Sequence, residues 1–365
     1  MSIDHRTSTR IDILRFPLIV GVVFIHSYSG TNNGSIVNGC SRGFWVDYVR
    51  VFISRGIADV TVPLFFLISG YLFFQGQWSW GNYVNKLKRR INTLLVPYLF
   101  WNCLNLGIFA LAESIPQTRA YYAGTVWPLV SVFSALDYAK AILGVFVDAP
   151  FNGPLWFIRD LMVLAVLAPA IHFLLARKTA LPFLALLFCL WFFGLSPSVG
   201  LRMQAPFFFC MGAYFSRPEM SVASLDKFSW WIGAIFLCLI TLNTAYLARV
   251  SYLDYSMVVF GVPCVWSLTK LAVRTTVLKS MLMKLSGASF FVYAGHGILQ
   301  TIVSKAADKM LMPAGGAAIL ALYFLIPICA ITFLVLLHGC LRKVMPTVTG
   351  IITGDSYRRR TCPSR

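Results

Sequence analysis

The chain has 365 residues, 58% of them hydrophobic and only 12% charged, where an ordinary soluble domain carries roughly 25% charge. That balance excludes a soluble globular protein and points to an integral membrane protein. A formal net charge of +18 suits a nucleic-acid binder, but with the N-terminus inside, about 20 of the 31 Lys and Arg fall on cytoplasmic segments. Topology and anionic lipid headgroups account for the charge, so membrane lipids are expected partners and nucleic acid is not.

Apolar runs occur at 11–29, 52–75, 91–112, 155–176, 181–195, 201–215, 229–248, 255–272, 286–304 and 315–341. The longer ones suit helices crossing roughly 30 Å of hydrocarbon, whereas a barrel would show alternating segments of about ten residues. The expected fold is all-α: a polytopic transmembrane bundle of about ten helices with both termini cytoplasmic. The fifth and sixth runs are short and separated by "SPSVG", which fits a re-entrant pair or longer tilted helices. Residues 1–345 form the membrane domain, and 346–365 a basic cytoplasmic tail without fixed structure. The outer connection 113–154 is apolar enough for interfacial or re-entrant helices. Nine cysteines show no CxxC and no Cys/His ligand spacing, so neither a disulfide nor a metal site is expected. The first apolar run is too long for a cleavable signal core.

Several residues are out of character for such runs. Arg15 and His26 lie eleven residues apart in "RFPLIVGVVFIH", a turn of about 1,100° over about 16 Å, which puts them on one helical stripe. Ionisable groups within a bilayer usually face the bundle interior or a water-filled cavity. Asp12 is spaced to pair with Arg15. Taken singly, Arg15 also fits an interfacial snorkelling residue and His26 an interhelical hydrogen bond. In "VPLFFLISGYLFF", Ser69, Gly70 and Tyr71 interrupt a bulky run and allow close helix packing or ligand approach. Lys86, Lys88, Arg89 and Arg90 form a basic cluster after the second run, of a kind that suits phosphate groups.

"NGPLWFIRDLMVL" places Asn152, Gly153 and Pro154 at the outer start of the fourth helix. Trp156 follows as a belt residue or substrate platform, then Arg159 and Asp160, with Arg159 suited to an anionic group. In "SGASFFVYAGHGILQT", Tyr293 and His296 share a helix face between glycines. Taken alone His296 fits a helix-packing contact, whereas His26, on the stripe it shares with Arg15, can act as a base if its imidazole is neutral.

These four blocks, the R-x10-H pair, "FFLISGY", "GPLWFIRDL" and "SFFVYAGHG", resemble the membrane-bound acyltransferase family 3, whose members acylate cell-surface glycans, lipids and other acceptors. The resemblance covers nearly the whole length. It implies a multi-pass protein of the bacterial cytoplasmic membrane with no bound cofactor. Acetyl-CoA or another acyl-CoA would be the co-substrate, and a surface glycan or lipid-linked saccharide the acceptor. Carried over, His26 is the catalytic histidine and Arg15 its donor-side partner. From the residues themselves, Lys86, Lys88, Arg89 and Arg90 are expected to bind the donor, and Ser69, Tyr71, Asn152, Trp156, Arg159, Asp160, Tyr293 and His296 to bind or support substrate. One departure stands out: where members often carry RxxR, this chain reads Arg89-Arg90-Ile91-Asn92, with Lys86 and Arg89 at the same spacing. The competing class is a transporter or flippase using Arg15, His26, Arg159 and His296 as a polar path. It lacks the internal repeat that marks many transporters.

Overall fold

The computed structural model describes residues 5–30, 44–122, 127–175, 178–195, 200–217, 219–220, 222–227, 230–246, 251–311 and 315–355. Among these there is no strand. The α-helices, in chain order, are α1 His5–Gly30, α2 Phe44–Val51, α3 Thr61–Phe74, α4 Trp80–Arg90, α5 Val96–Ser114, α6 Pro116–Tyr122, α7 Ala135–Leu143, α8 Trp156–Val166 and α9 Ala168–Leu175. They continue with α10 Ala180–Phe192, α11 Gln204–Phe215, α12 Trp230–Ala245, α13 Ser251–Arg274, α14 Thr276–Ser286, α15 Ser289–Leu311, α16 Gly316–Val344 and α17 Pro346–Thr353. Short π-helical turns, Phe52–Ile57 and Ile91–Leu95, precede α3 and α5.

The ten apolar runs all fall on helices, as an all-helical membrane bundle requires. By length and apolarity, four uninterrupted stretches among the described residues are able to cross a bilayer: Phe44–Phe74, Trp80–Ser114, Ser251–Arg274 and Gly316–Val344. The pair Gly153–Val166 and Ala168–Leu175 adds a fifth if taken as one broken span, bent by 63°. Pro169 explains the bend, because it removes a backbone donor and its ring clashes with the preceding turn. The count of complete crossings is therefore lower by this measure than the number of apolar runs.

The tightest packing joins α3 to α11. A Cβ on Gly70 would run into the Phe209 carbonyl, and a Cβ on Gly212 into the Leu67 carbonyl while lying 2.7 Å from the Tyr71 backbone nitrogen. Small residues at such a crossing let two backbones meet, the main source of helix association in lipid. At the opposite end of α1, Arg10 makes a bidentate contact with Asp226 at 2.6 and 2.8 Å and donates to the Trp266 carbonyl and Thr269 hydroxyl. That buried guanidinium ties α1 to α13 and to the Val222–Lys227 turn.

The 113–154 connection folds into a small cap, with an apolar cluster of Leu106, Val130, Ala141 and Phe151. α7 opens with a reciprocal Ser134–Asp137 capping box and closes at Gly144 in the left-handed region, φ +69°, as helix C-caps favour. At the other terminus the structure departs from expectation. Residues 346–353 are not an unstructured tail but form α17, because the apolar Ile352 is buried in the core and its carbonyl accepts from the Trp101 indole at 2.9 Å. Residues 356–365 lie outside the described ones.

The α3–α11 crossing generates a test. Gly212→Ala should lower the thermal unfolding midpoint of the detergent-purified protein, with overpacking costing about 1–3 kcal/mol. Gly339→Ala, at a helical glycine with nothing within 4 Å, should lose nothing. Equal midpoints for Gly212→Ala and wild type would show that the two backbones are not in contact.

Candidate active site

A cavity of about 730 Å³ lies within the bundle. From α1 it is lined by Arg15, Ile19, Val22 and His26, the i, i+4, i+7, i+11 stripe expected of one helix face. Arg15 pairs with Asp12 at 3.3 Å. Towards the same end lie Arg90 and Thr93, together with Asp355 just beyond α17. About 16 Å along α1 is His26. At its level the Ser54 hydroxyl donates to the Phe24 carbonyl at 2.7 Å, setting the π-helical turn that presents Arg55. Asp59, Asp254 and Arg202 line the same cavity.

His26 has a partner. The Gln300 amide donates to the Val23 carbonyl at 3.2 Å and the Ser27 hydroxyl at 2.7 Å, fixing the register of α15 on α1. In that register the His26 and His296 rings stand 5.2 Å apart with planes at 48°. His296 is fully buried, and its Nδ1 lies 2.6 Å from the Tyr293 carbonyl. A carbonyl only accepts, so Nδ1 carries the proton in the neutral ring and Nε2 is left as an acceptor. That Nε2 is buried and has no hydrogen-bond partner among the described residues.

The start of α8 is pinned onto α15 from the other side. Asn102 Oδ1 accepts from the Asn152 backbone at 2.9 Å, and the Asn152 amide donates to the Ala294 carbonyl at 3.0 Å. The Tyr293 hydroxyl donates to the Pro154 carbonyl. Gly297 faces Pro154 so closely that a Cβ would sit 3.0 Å from its ring, which accounts for the glycine beside His296.

The acyltransferase domain family matches residues 8–339. The chain belongs to acyltransferase family 3. A similar relative is the "Succinoglycan biosynthesis protein ExoH" of Rhizobium meliloti (strain 1021), 28% identical over 362 residues that cover 96% of this chain and 93% of the relative. No solved structure matches. This family 3 acyltransferase is a multi-pass membrane protein, and within it the residues singled out from sequence divide into three groups.

Arg15, His26, Ser69, Arg90, Trp156 and Tyr293 line the cavity. Trp156 is buried against Phe66 and under Arg202, not in an outer lipid belt. A second group acts from behind. Asn152 and His296 are buried beside the cavity wall, and Tyr71 packs in the core next to the Gly212 crossing.

Arg159, read from sequence as suited to an anionic group, is engaged by the protein itself. Its guanidinium donates to the carbonyls of Gly144 and Val147, both at 2.8 Å, and to those of Asp148 and Gly200, while its Nε contacts Asp160 at 2.9 Å. Asp160 in turn accepts from the Arg202 backbone at 3.4 Å. Together they lace the 144–148 and 200–202 connections to α8.

The third group is the basic cluster, which the structure does not gather at the cavity. Lys86 donates to the Phe73 and Gln75 carbonyls at 2.6 and 2.8 Å, neutralising the C-terminal end of α3. Lys88 and Arg89 are exposed, and Arg90 alone of the four lines the cavity.

Sequence reasoning missed Arg55, Asp59, Arg202 and Asp254 as cavity residues. Arg55 and Asp59 had a signal, an oppositely charged i, i+4 pair at the start of an apolar run. Arg202 opens α11 from a connection and carried none.

The bonding of Arg159 predicts a structural phenotype. Arg159→Gln should destabilise the protein by about 3–5 kcal/mol, the range for breaking a buried charge pair. Arg159→Lys should not restore it, since an ammonium cannot span the same fork of carbonyls. A wild-type thermal midpoint in Arg159→Lys would contradict this assignment.

Proposed function

We propose that the protein transfers a short acyl group, acetyl first and succinyl second, from cytoplasmic acyl-CoA to a hydroxyl of an extracytoplasmic glycan or lipid-linked saccharide. The setting is the cytoplasmic membrane of a bacterium, with both chain termini inside. The observation that carries the reading is that a single cavity is lined by His26 together with Arg15, Arg90 and Arg202, with Arg15 about 16 Å from His26 along α1. The glycan acceptor is supported by the relative's name, a succinoglycan biosynthesis protein.

In this scheme the thioester enters from the Arg15 and Arg90 end, where guanidinium groups suit the CoA phosphates. Arg90 lies over the Phe73 ring at 5.7 Å and lines the cavity. The acceptor hydroxyl arrives from the Arg202 end. A His26 ring nitrogen takes the hydroxyl proton as the oxygen attacks the thioester carbonyl. The carbon–sulfur bond then breaks, and the leaving thiolate takes the proton from His26, giving an ester and free CoA. A flippase reading has no observation of its own in the structure, and family membership speaks against it.

Mass spectrometry of surface glycans and lipid-linked saccharides tests the proposal in cells carrying wild type, His26→Ala or no protein. An increment of one acyl group should appear with wild type and fall by about 10²–10⁴ with His26→Ala at equal protein level, the usual contribution of a general base. Wild-type acylation by His26→Ala would overturn the role of His26. Identical spectra in all three strains would overturn the glycan acceptor.

A further inference from the structure

Arg202 differs from the other arginines of the outer half of the bundle. Arg159 is held by four carbonyls and a carboxylate. Arg55 lies within electrostatic reach of both Asp59 and Asp254. The Arg202 guanidinium makes no hydrogen bond or ion pair among the described residues. Its guanidinium carbon lies over the Trp156 ring, 4.1 Å from the centroid, and it is within electrostatic reach of Asp160 and Asp148. Of these, Asp160 already accepts from Arg159 and from the Arg202 backbone.

Stacking on an aromatic face occupies the plane of a guanidinium and leaves its N–H edges free. Arg202 lines the cavity and is within electrostatic reach of His26. The residue is also built to stay put. Its backbone N–H is anchored on Asp160, its carbonyl accepts from Ala205 at 2.8 Å, and Gly200 before it is bound through its own carbonyl to Arg159. A pre-positioned cation with free planar donors is the arrangement that recognises an oxyanion bidentately with little ordering cost.

We propose that the Trp156–Arg202 pair is an anion-binding subsite for the substrate that enters from the outer end, so that this substrate carries a carboxylate or phosphate beside the hydroxyl to be acylated. The inference rests on the acyl-transfer reading for the identity of that substrate, not for the existence of the subsite. Two sources share the chemistry: the carboxylate of an acidic sugar and the phosphate of a lipid linker.

Binding to the detergent-purified full chain tests this without any acyl transfer, using trigalacturonate, a polyprenyl phosphate, neutral maltotriose and succinate as separate probes. At least one of the first two should bind, more weakly as salt rises, and maltotriose should not. Arg202→Gln should weaken that binding roughly tenfold to a hundredfold, the loss expected for a hydrogen bond to a charged group, and Arg202→Lys should weaken it less. Trp156→Leu should weaken it while Trp156→Phe retains it, and unliganded melting midpoints show that each variant is folded. Trigalacturonate alone assigns the acidic sugar, and the polyprenyl phosphate alone assigns the linker. Equal binding of maltotriose, unchanged binding in Arg202→Gln, or binding of succinate alone would overturn the proposal. If these binding results hold while cells show no acylated product, the subsite stands and the acyl-transfer reading falls.

Discussion

One side-chain amide sets the geometry on which the site depends. Gln300 donates from α15 to a backbone carbonyl and a hydroxyl of α1, and in an apolar bundle such a pair of bonds has few rivals. A slip of one residue along α15 would turn its face by about 100° and carry His296 away from His26. The same helix is held from its other side by Asn152 and Tyr293 at the start of α8. Two histidines are thereby brought to 5.2 Å where lipid-like packing would otherwise exclude polar groups, and the cavity passes them.

The charges of the bundle fall into those the protein satisfies itself and those it leaves directed at the cavity. Arg10 and Arg159 are deeply buried and ringed by acceptors, as burial of a guanidinium requires. Their task is to hold α1 on α13 and the outer loops on α8. Arg90 and Arg202 instead lie over the rings of Phe73 and Trp156 and line the cavity. The two π-helical turns also border this space, contributing Arg55 from one and Thr93 and Leu94 from the other. Such turns are frequent at functional sites because the extra residue re-aims a side chain.

Much of this was legible in the sequence. Run length and composition gave the helical membrane bundle, and the eleven-residue spacing of Arg15 and His26 gave a shared stripe, because helix periodicity is a local property. Glycine in "LISGY" signalled a close approach, although its partner Gly212 lay in an unremarkable aromatic run. What the sequence could not carry was the partner of each polar group. Lys86 reads as a phosphate ligand in one dimension and turns out to cap α3. Arg159 reads as a substrate contact and turns out to be saturated by loop carbonyls that lie up to 41 residues away in the chain. Arg202 gave no sign, since its meaning depends on Trp156 lying beneath it. The C-terminal segment misled for a simpler reason: eight residues of moderate polarity fold as α17 once Trp101 and the core are there to receive them.

The central claim is that one cavity joins donor and acceptor from opposite faces of the membrane at His26. Oriented proteoliposomes test it most directly, with acetyl-CoA supplied only on the Arg90 face and the acceptor glycan only on the Arg202 face. The account predicts free CoA thiol on the first face and acylated glycan on the second, both lost in His26→Ala. Acylated glycan that forms only when donor and acceptor share one face would contradict it.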